Sequence, residues 1–355
     1  MSERPLRFAV VGLGMGQTHC HDIHDANGAE LVAVCDLVPE RVQKMVERYG
    51  CRGTTRFEEI LAAPDIDVVN IATPSGMHAE HTIAALRAGK HVICEKPPDV
   101  TVAQVDAMIA AQRETGRKLE IIFQTRFEPV YRRIRQTIAD GRLGKLIGIH
   151  GSVHWWRGQS YYECPGMWKG TWALDGGGSL ANQGVHTIDI LQWMCGPVVE
   201  VYGKYGVYAH EIEAEDKTAA VLTFANGAIG TLTTTTACYP GIDTEILIHG
   251  ENGCIRTQGG LQMWRIRAET PEAEAEEERQ MLALYGPSDK RDAGVSSDPF
   301  ALATRGHRAQ VEDMVCAIHE DRDPAITAES ARHTVEILNA VYESARLGRP
   351  VKLGQ

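Results

Sequence analysis

The 355-residue sequence is short of positive charge, of paired cysteines and of long apolar runs. Lys and Arg number 36 against 47 Asp and Glu, for a formal net charge of −11. Such a chain lacks the basic footprint that nucleic-acid backbones and anionic membrane surfaces select, so neither is expected as a partner. No stretch approaches the ~20 apolar residues of a membrane span. The first residues run straight into a strand pattern, without the apolar region and small-residue cleavage site of a signal peptide. The nine cysteines are odd in number and form no Cys-x-x-Cys pair. Cys35 and Cys94 fall in apolar runs, where a thiol behaves as a small hydrophobe. A reducing, cytoplasmic setting is therefore expected. No metal site is expected either. His19, Cys20, His21, Asp22 and His24 crowd one segment, but the adjacent His21 and Asp22 point to different sides of a helix. Helix packing and surface histidines are the expectation there.

What is present is an ordinary globular composition, 43% hydrophobic and 23% charged, over a length that exceeds one core. Residues 1–125 alternate short apolar runs (8–11, 31–35, 68–72, 91–94, 119–123) with helical patterns (16–26, 39–49, 78–88, 102–115). Unbroken apolar strands separated by amphipathic helices predict a doubly wound parallel sheet covered on both faces. From residue 126 to 355 the pattern changes. Helices are predicted over 128–140, 179–195, 305–319 and 328–347, and strands over 199–207, 218–224, 228–235, 244–249 and 254–257. Asn226-Gly227 marks a hairpin, so the second domain is expected to be α+β with a mostly antiparallel sheet. The acidic run 272–279 reads as a solvated segment.

Gly12-Leu13-Gly14-Met15-Gly16 follows a strand and opens a helix. Glycines let the backbone approach a pyrophosphate, and the helix N-terminus offers free N–H groups. Gln17 occupies the usual third-glycine position, and Gly16 stands one place early. Asp36 ends the second strand twenty residues after Gly16. A carboxylate there accepts from a ribose diol and repels a 2′-phosphate. Leu37 and Val38 follow it rather than Arg or Lys, which points to NAD over NADP.

Ala72-Thr73-Pro74 with His78, and Glu95-Lys96-Pro97-Pro98, stand at the C-terminal ends of predicted parallel strands, where such sheets bind ligands. Lys96 reads equally well as a group that polarises a substrate hydroxyl and as a surface partner of Glu95. These segments resemble the glucose–fructose oxidoreductase/inositol dehydrogenase (Gfo/Idh/MocA) family, whose most specific signature is the Glu-Lys-Pro found here at 95–97. Ala88-Gly89-Lys90-His91-Val92, Phe123-Gln124-Thr125-Arg126-Phe127, Gly141-Arg142-Leu143-Gly144 and 175–196 extend the resemblance over most of the chain. It implies an N-terminal Rossmann domain, a C-terminal domain whose open sheet serves homo-oligomerisation as dimer or tetramer, and NAD(P)-dependent chemistry on a sugar or cyclitol. It assigns Lys96 to catalysis and substrate. To the cofactor it assigns Gly12, Gly14, Met15, Gly16, Asp36, Ala72, Thr73, Pro74, His78, Glu95, Lys96 and Gln124.

Asn182, His186 and Asp189 are spaced i, i+4, i+7 and share one helical face. A histidine with polar neighbours there can act as general acid/base. The family pattern, Asp-x-Gly-x-His, makes His186 the proton-transfer residue and puts Asn182 where Asp is commoner. The Asn-Gln-Gly-x-His version resembles a branch that includes nucleotide-sugar 3-dehydrogenases. Upstream, 153–172 holds six of the 22 Phe, Trp and Tyr residues: Trp155, Trp156, Tyr161, Tyr162, Trp168 and Trp172. Aromatic faces suit sugar rings, and equally a subunit interface. Arg126, His154, Trp155, Arg157 and Tyr161 join Lys96, Asn182 and His186 as candidate substrate contacts. The leading expectation is an NAD-dependent dehydrogenase of a sugar, sugar derivative or cyclitol. The alternatives are a glycosidase that recycles its own NAD and a non-catalytic sugar or NAD sensor.

Overall fold

The computed structural model describes residues 4–163, 166–287 and 305–354. The chain divides into two compact units, the first holding Met1–Gln124 and Ala303–Val335, the second Thr125–Leu302 and Glu336–Gln355.

The first unit runs β1 (Leu6–Val11), α1 (Gly16–Asp25), β2 (Ala29–Cys35), α2 (Pro39–Tyr49), β3 (Arg52–Thr54), α3 (Phe57–Ala62), β4 (Val68–Ile71), α4 (His78–Arg87), β5 (His91–Cys94), α5 (Val102–Thr115) and β6 (Leu119–Ile121). The strands form one parallel sheet in the order β3-β2-β1-β4-β5-β6. This is the expected doubly wound architecture, whose strand order reverses beside β1. The predicted strands were the apolar ones. β3, Arg-Gly-Thr, adds an edge strand that no hydrophobic run announces.

The second unit holds α6 (Pro129–Ala139), β7 (Leu146–Trp156), a π-helical turn (Ser179–Gly184), α7 (Val185–Cys195), β8 (Val198–Gly206), β9 (Lys217–Phe224), β10 (Ile229–Thr235), β11 (Ala237–Gly250), β12 (Gly253–Gln258), β13 (Leu261–Ile266) and α8 (Pro271–Tyr285). Two helices follow, α9 (Arg305–His319) and α10 (Ala328–Leu347), then β14 (Val351–Lys352). The sheet order is β13-β12-β11-β7-β10-β9-β8-β14. Every neighbouring pair is antiparallel except β7 with β10. β7 lies mid-sheet, although no strand is predicted over its Gly- and aromatic-containing sequence. Gly151 is the reason for part of that composition. A Cβ there would lie 2.7 Å from Thr187 Cγ2 and 3.0 Å from Leu191 Cδ1, so α7 could not pack as closely on this strand. The opposite sheet face is open: register sets Tyr202, Val221 and Thr231 side by side, with the exposed Ile229 next along β10. The acidic run 272–279 is helical, in α8, where Glu277 pairs with Arg142 at 2.6 Å and accepts from Trp264 Nε1 at 3.0 Å.

A sequence boundary at 125/126 gives α9 to the second domain. The structure groups it with the first unit, because Val311, Met314 and Val315 join the core built on Phe8, Val10, Leu13 and Ile23. Each such side chain contributes roughly 1.5–3 kcal/mol on burial.

Candidate active site

In the first unit the candidate residues gather along the C-terminal edge of the parallel sheet. Gly12 closes β1 with a φ of 91°, and a Cβ there would lie 2.8 Å from the Thr73 N and closer still to the Ala72 carbonyl. Gly14 has no heavy atom within 4 Å of the position a Cβ would take, so the loop presents bare backbone to open space. At Gly16 a Cβ would meet Val10 Cγ1 at 2.9 Å, which lets α1 start tight against β1. Met15 is the N-cap and forms no side-chain cap, leaving the first amides of α1 to an external acceptor. Asp36 is buried, accepting from Leu13 N at 2.5 Å and Val38 N at 2.8 Å. Its carboxylate retains lone pairs for a diol. Arg41 stands 3.6 Å from Asp36 Oδ2, a cation that the residues next to Asp36 do not announce. Gln124, past the end of β6, is buried with Oε1 lacking any hydrogen-bond partner. The bare glycine loop, the acceptor at Asp36 and this orphaned amide oxygen fit a dinucleotide.

His78 is buried and bridges two turns, its Nδ1 2.7 Å from Pro97 O and its Nε2 2.8 Å from Thr73 O. Burial pushes its pKa down against those two bonds. It lies between the Ala72–Thr73–Pro74 loop and the Lys96 turn and links them. Glu95 is buried and Lys96 half-buried behind it. Glu95 Oε1 meets His19 Nε2 at 2.7 Å and Oε2 accepts from Lys96 N at 2.9 Å. Burial raises the Glu95 pKa, but His19, Lys96 and His307 outweigh it and hold the carboxyl well below its usual range.

In the second unit, Asn182 lies in the π-helical turn and His186 in the first turn of α7, both half-buried. One helix was predicted over 179–195; its first turn is π-helical, a form often found at functional positions. Asn182 Nδ2 donates to Asp175 Oδ1 at 2.7 Å, and Asn182 Oδ1 accepts from Gln183 Nε2 at 3.2 Å and from Tyr161 OH at 3.4 Å. The Lys169 Nζ sits 3.6 Å over the Tyr161 ring, and the Arg157 guanidinium lies 5.5 Å from that ring and 5.2 Å from Trp155. Burial and Asp175 push the Tyr161 hydroxyl far up, with Arg157 and Gln183 opposing, so it stays protonated.

Asn182, Tyr161, Arg157 and Trp155 are thus brought into one neighbourhood. Two candidates are not. Arg126, expected to touch substrate, is buried in an ion pair with Asp189, Nε to Oδ2 at 2.8 Å. His154 alternates with Trp155 on β7 and shares the open face with His150 and Thr233, where its Nε2 is 3.0 Å from Thr233 Oγ1. It lies on the opposite side of the sheet from α7. The aromatic segment is split in the same way. Tyr162 is buried on Thr236 at 2.7 Å, and Trp172 packs edge-on against Tyr342 at 5.0 Å, both within the unit. Asp175, Gln183 and His19 were not among the expected site residues. Only Asp175 carried a signal, as the acid that opens a run of three glycines. Among the described residues no group of three or more His, Cys, Asp or Glu side chains is arranged to hold a metal ion, and no helix is long and apolar enough to cross a membrane.

Residues 6–123 match the family model for an oxidoreductase family with an NAD-binding Rossmann fold, and residues 131–256 match the GFO/IDH/MocA C-terminal domain. An inositol 2-dehydrogenase of Rhizobium meliloti is 28% identical over 259 residues, 71% of this chain and 76% of that protein. A D-glucoside 3-dehydrogenase of Escherichia coli is 34% identical over 200 residues, 55% of this chain and 56% of that protein. The WlbA dehydrogenase of Bordetella pertussis, solved in complex with NADH and UDP-GlcNAcA, superposes with a TM-score of 0.87 at 29% identity, covering 100% of this chain and 99% of that one.

Proposed function

The chain belongs to the Gfo/Idh/MocA oxidoreductase family, with an NAD-binding Rossmann domain, and on that premise we propose that it oxidises a secondary alcohol of a sugar, sugar derivative or cyclitol with Lys96 and His186 as the catalytic pair. The observation that carries the reading is the position of Lys96: half-buried, at the end of β5, on the sheet edge that holds the glycine loop and Asp36. Oxidation of a carbinol removes a proton from oxygen and a hydride from carbon. NAD, when bound, accepts the hydride. The glycine loop, Asp36 and Gln124 would hold it.

His186 takes the hydroxyl proton. Lys96 donates to the same oxygen and stabilises the negative charge that develops there. Asn182 cannot supply charge as a carboxylate would. Its amide is oriented by Asp175 behind it and Gln183 beside it, so that it reads a substrate hydroxyl by geometry alone. Trp155 and Tyr161 offer ring faces to the sugar. The relatives' names, an inositol, a glucoside and a UDP-linked sugar acid, bound the substrate class as polyhydroxylated rings. We assign the open sheet face to a second copy of the chain.

The test is the appearance of NADH when the protein and NAD are offered a panel of inositols, free sugars, glycosides and UDP-sugars. The reading expects stoichiometric NADH with at least one member. Cleavage of a glycoside without net NADH would establish the recycling glycosidase instead. NAD binding with no turnover of any member would establish a sensor.

A further inference from the structure

Beneath the Lys96 turn lies a buried cluster of titratable groups that the reaction as proposed does not use. His19 is in the first turn of α1 and 1% exposed. His307, from α9, meets its ring edge-on at a centroid distance of 5.1 Å. Asp22, one turn further along α1, is 3.8 Å from His307 Nδ1, too far for a direct hydrogen bond. Burial pushes Asp22 up to about 6 and His307 down to about 3, so His307 is neutral near pH 7.

Within this cluster one chain of bonds leads outward. Glu95 uses one carboxylate oxygen on His19 and the other on the backbone N–H of Lys96. An ionised carboxylate only accepts, so His19 carries its proton on Nε2. Glu95 N is bound in turn to Ile71 O at 2.9 Å. The turn is then held on its far side by His78 through Pro97 O. Lys96 is flanked by two points anchored by histidines, and the one at His19 begins three residues from Gly16.

We propose that His19 is a positioning residue for Lys96, acting through Glu95. It locks the glycine-loop helix and the Lys96 turn into one rigid piece, so that the amine is aimed relative to the cofactor cradle. This rests on the role given to Lys96 above. His19→Leu fills the space and removes the donor; His19→Gln keeps an N–H that can reach Glu95. The Leu variant should lose about 10²-fold in kcat, the scale of a small misplacement of a reacting group. Its NADH affinity, read by fluorescence titration, and its substrate KM should stay within a few-fold of wild type. The Gln variant should recover most of that loss. In a Lys96→Ala background His19→Leu should cost nothing further, because contacts acting through one group are not additive. Independently of turnover, nitrogen NMR of the imidazole should find Nε2 protonated in wild type and its hydrogen-bonded proton signal lost in Glu95→Ala, which removes the acceptor.

Unchanged kcat in His19→Leu, a full second loss in the Lys96→Ala background, a fall in NADH affinity that accounts for the lost turnover, or an unprotonated Nε2 would each overturn the proposal. Normal turnover in Lys96→Ala alone would remove the role of Lys96 and this proposal with it. A Lys96→Ala defect beside a normal His19→Leu removes only the positioning.

Discussion

The two units hold their key side chains by opposite strategies. Around Lys96 the anchors are spread over four elements: His19 on α1, Ile71 on β4, His78 on α4 and Glu95 after β5. In the second unit, at the start of the turn that precedes α7, they converge on one carboxylate. Glu215 is fully buried and accepts from Gly178 N at 3.0 Å, Leu180 N at 2.9 Å, Ser179 Oγ at 2.6 Å and Tyr342 OH at 2.7 Å. These donors surround the start of the π-helical turn, where a carboxylate also meets the positive end of the helix dipole. Burial pushes the Glu215 carboxyl up while all four bonds oppose it. A distributed anchorage degrades by degrees; a concentrated one fails at a single position.

The comparison can be broken at several points. The largest effect belongs to the pair proposed to be catalytic, Lys96 and His186. Lys96→Ala and His186→Ala should each lose roughly 10²–10⁴ in turnover while retaining NADH affinity, as measured by steady-state rates and fluorescence titration. Only the His186 variant should also lose the acid limb of the pH–rate profile, because a general base must be unprotonated to accept the hydroxyl proton. Next is Glu215→Leu, which strands four buried donors. It should lower the stability of the second unit by about 3 kcal/mol or more in urea unfolding, with Glu215→Gln milder. An effect no larger than that of His19→Leu would erase the contrast between the two anchorages.

A smaller effect is pH-dependent. His307 is pushed down to about 3 by burial, with His19 and Lys96 adding to it and Glu95 opposing. Below pH ~6.5 the unfolded chain takes up a proton on this residue that the folded chain refuses, so its contribution to stability falls as pH falls. His307→Gln should therefore gain on wild type by about 2 kcal/mol between pH 7 and pH 5 in thermal unfolding. A constant difference across that range would show that His307 is not buried neutral. The smallest effect concerns the cofactor. Asp36→Asn releases Arg41 from its pair at 3.6 Å, and NADP affinity should rise about tenfold, or ~1.4 kcal/mol. No change would remove Asp36 from 2′-phosphate discrimination.

The same contrast explains what could be read in advance. Lys96, Asp36 and the glycines belong to local patterns, a strand followed by a turn, and the doubly wound sheet followed from apolar runs that needed no distant partner. The chief anchor of the second unit is long-range. Glu215 reaches Tyr342, 127 residues away, and no spacing rule links them. β7 was hidden in part because Gly151 serves α7, whose position is not encoded near it. The ion pair of Arg126 with Asp189, itself one of the three residues on the predicted helical face, joins positions 63 apart that no local pattern links. His19 was submerged in a histidine-rich helix whose neighbours gave no hint of Glu95.

The most direct test of the central claim follows one hydrogen. With a substrate from the panel deuterated at the carbon that becomes the ketone, the NADH formed should be one mass unit heavier and carry the label at the nicotinamide C4. Unlabelled NADH, or a label that stays in the sugar while NAD is unchanged, would contradict hydride transfer from a secondary alcohol.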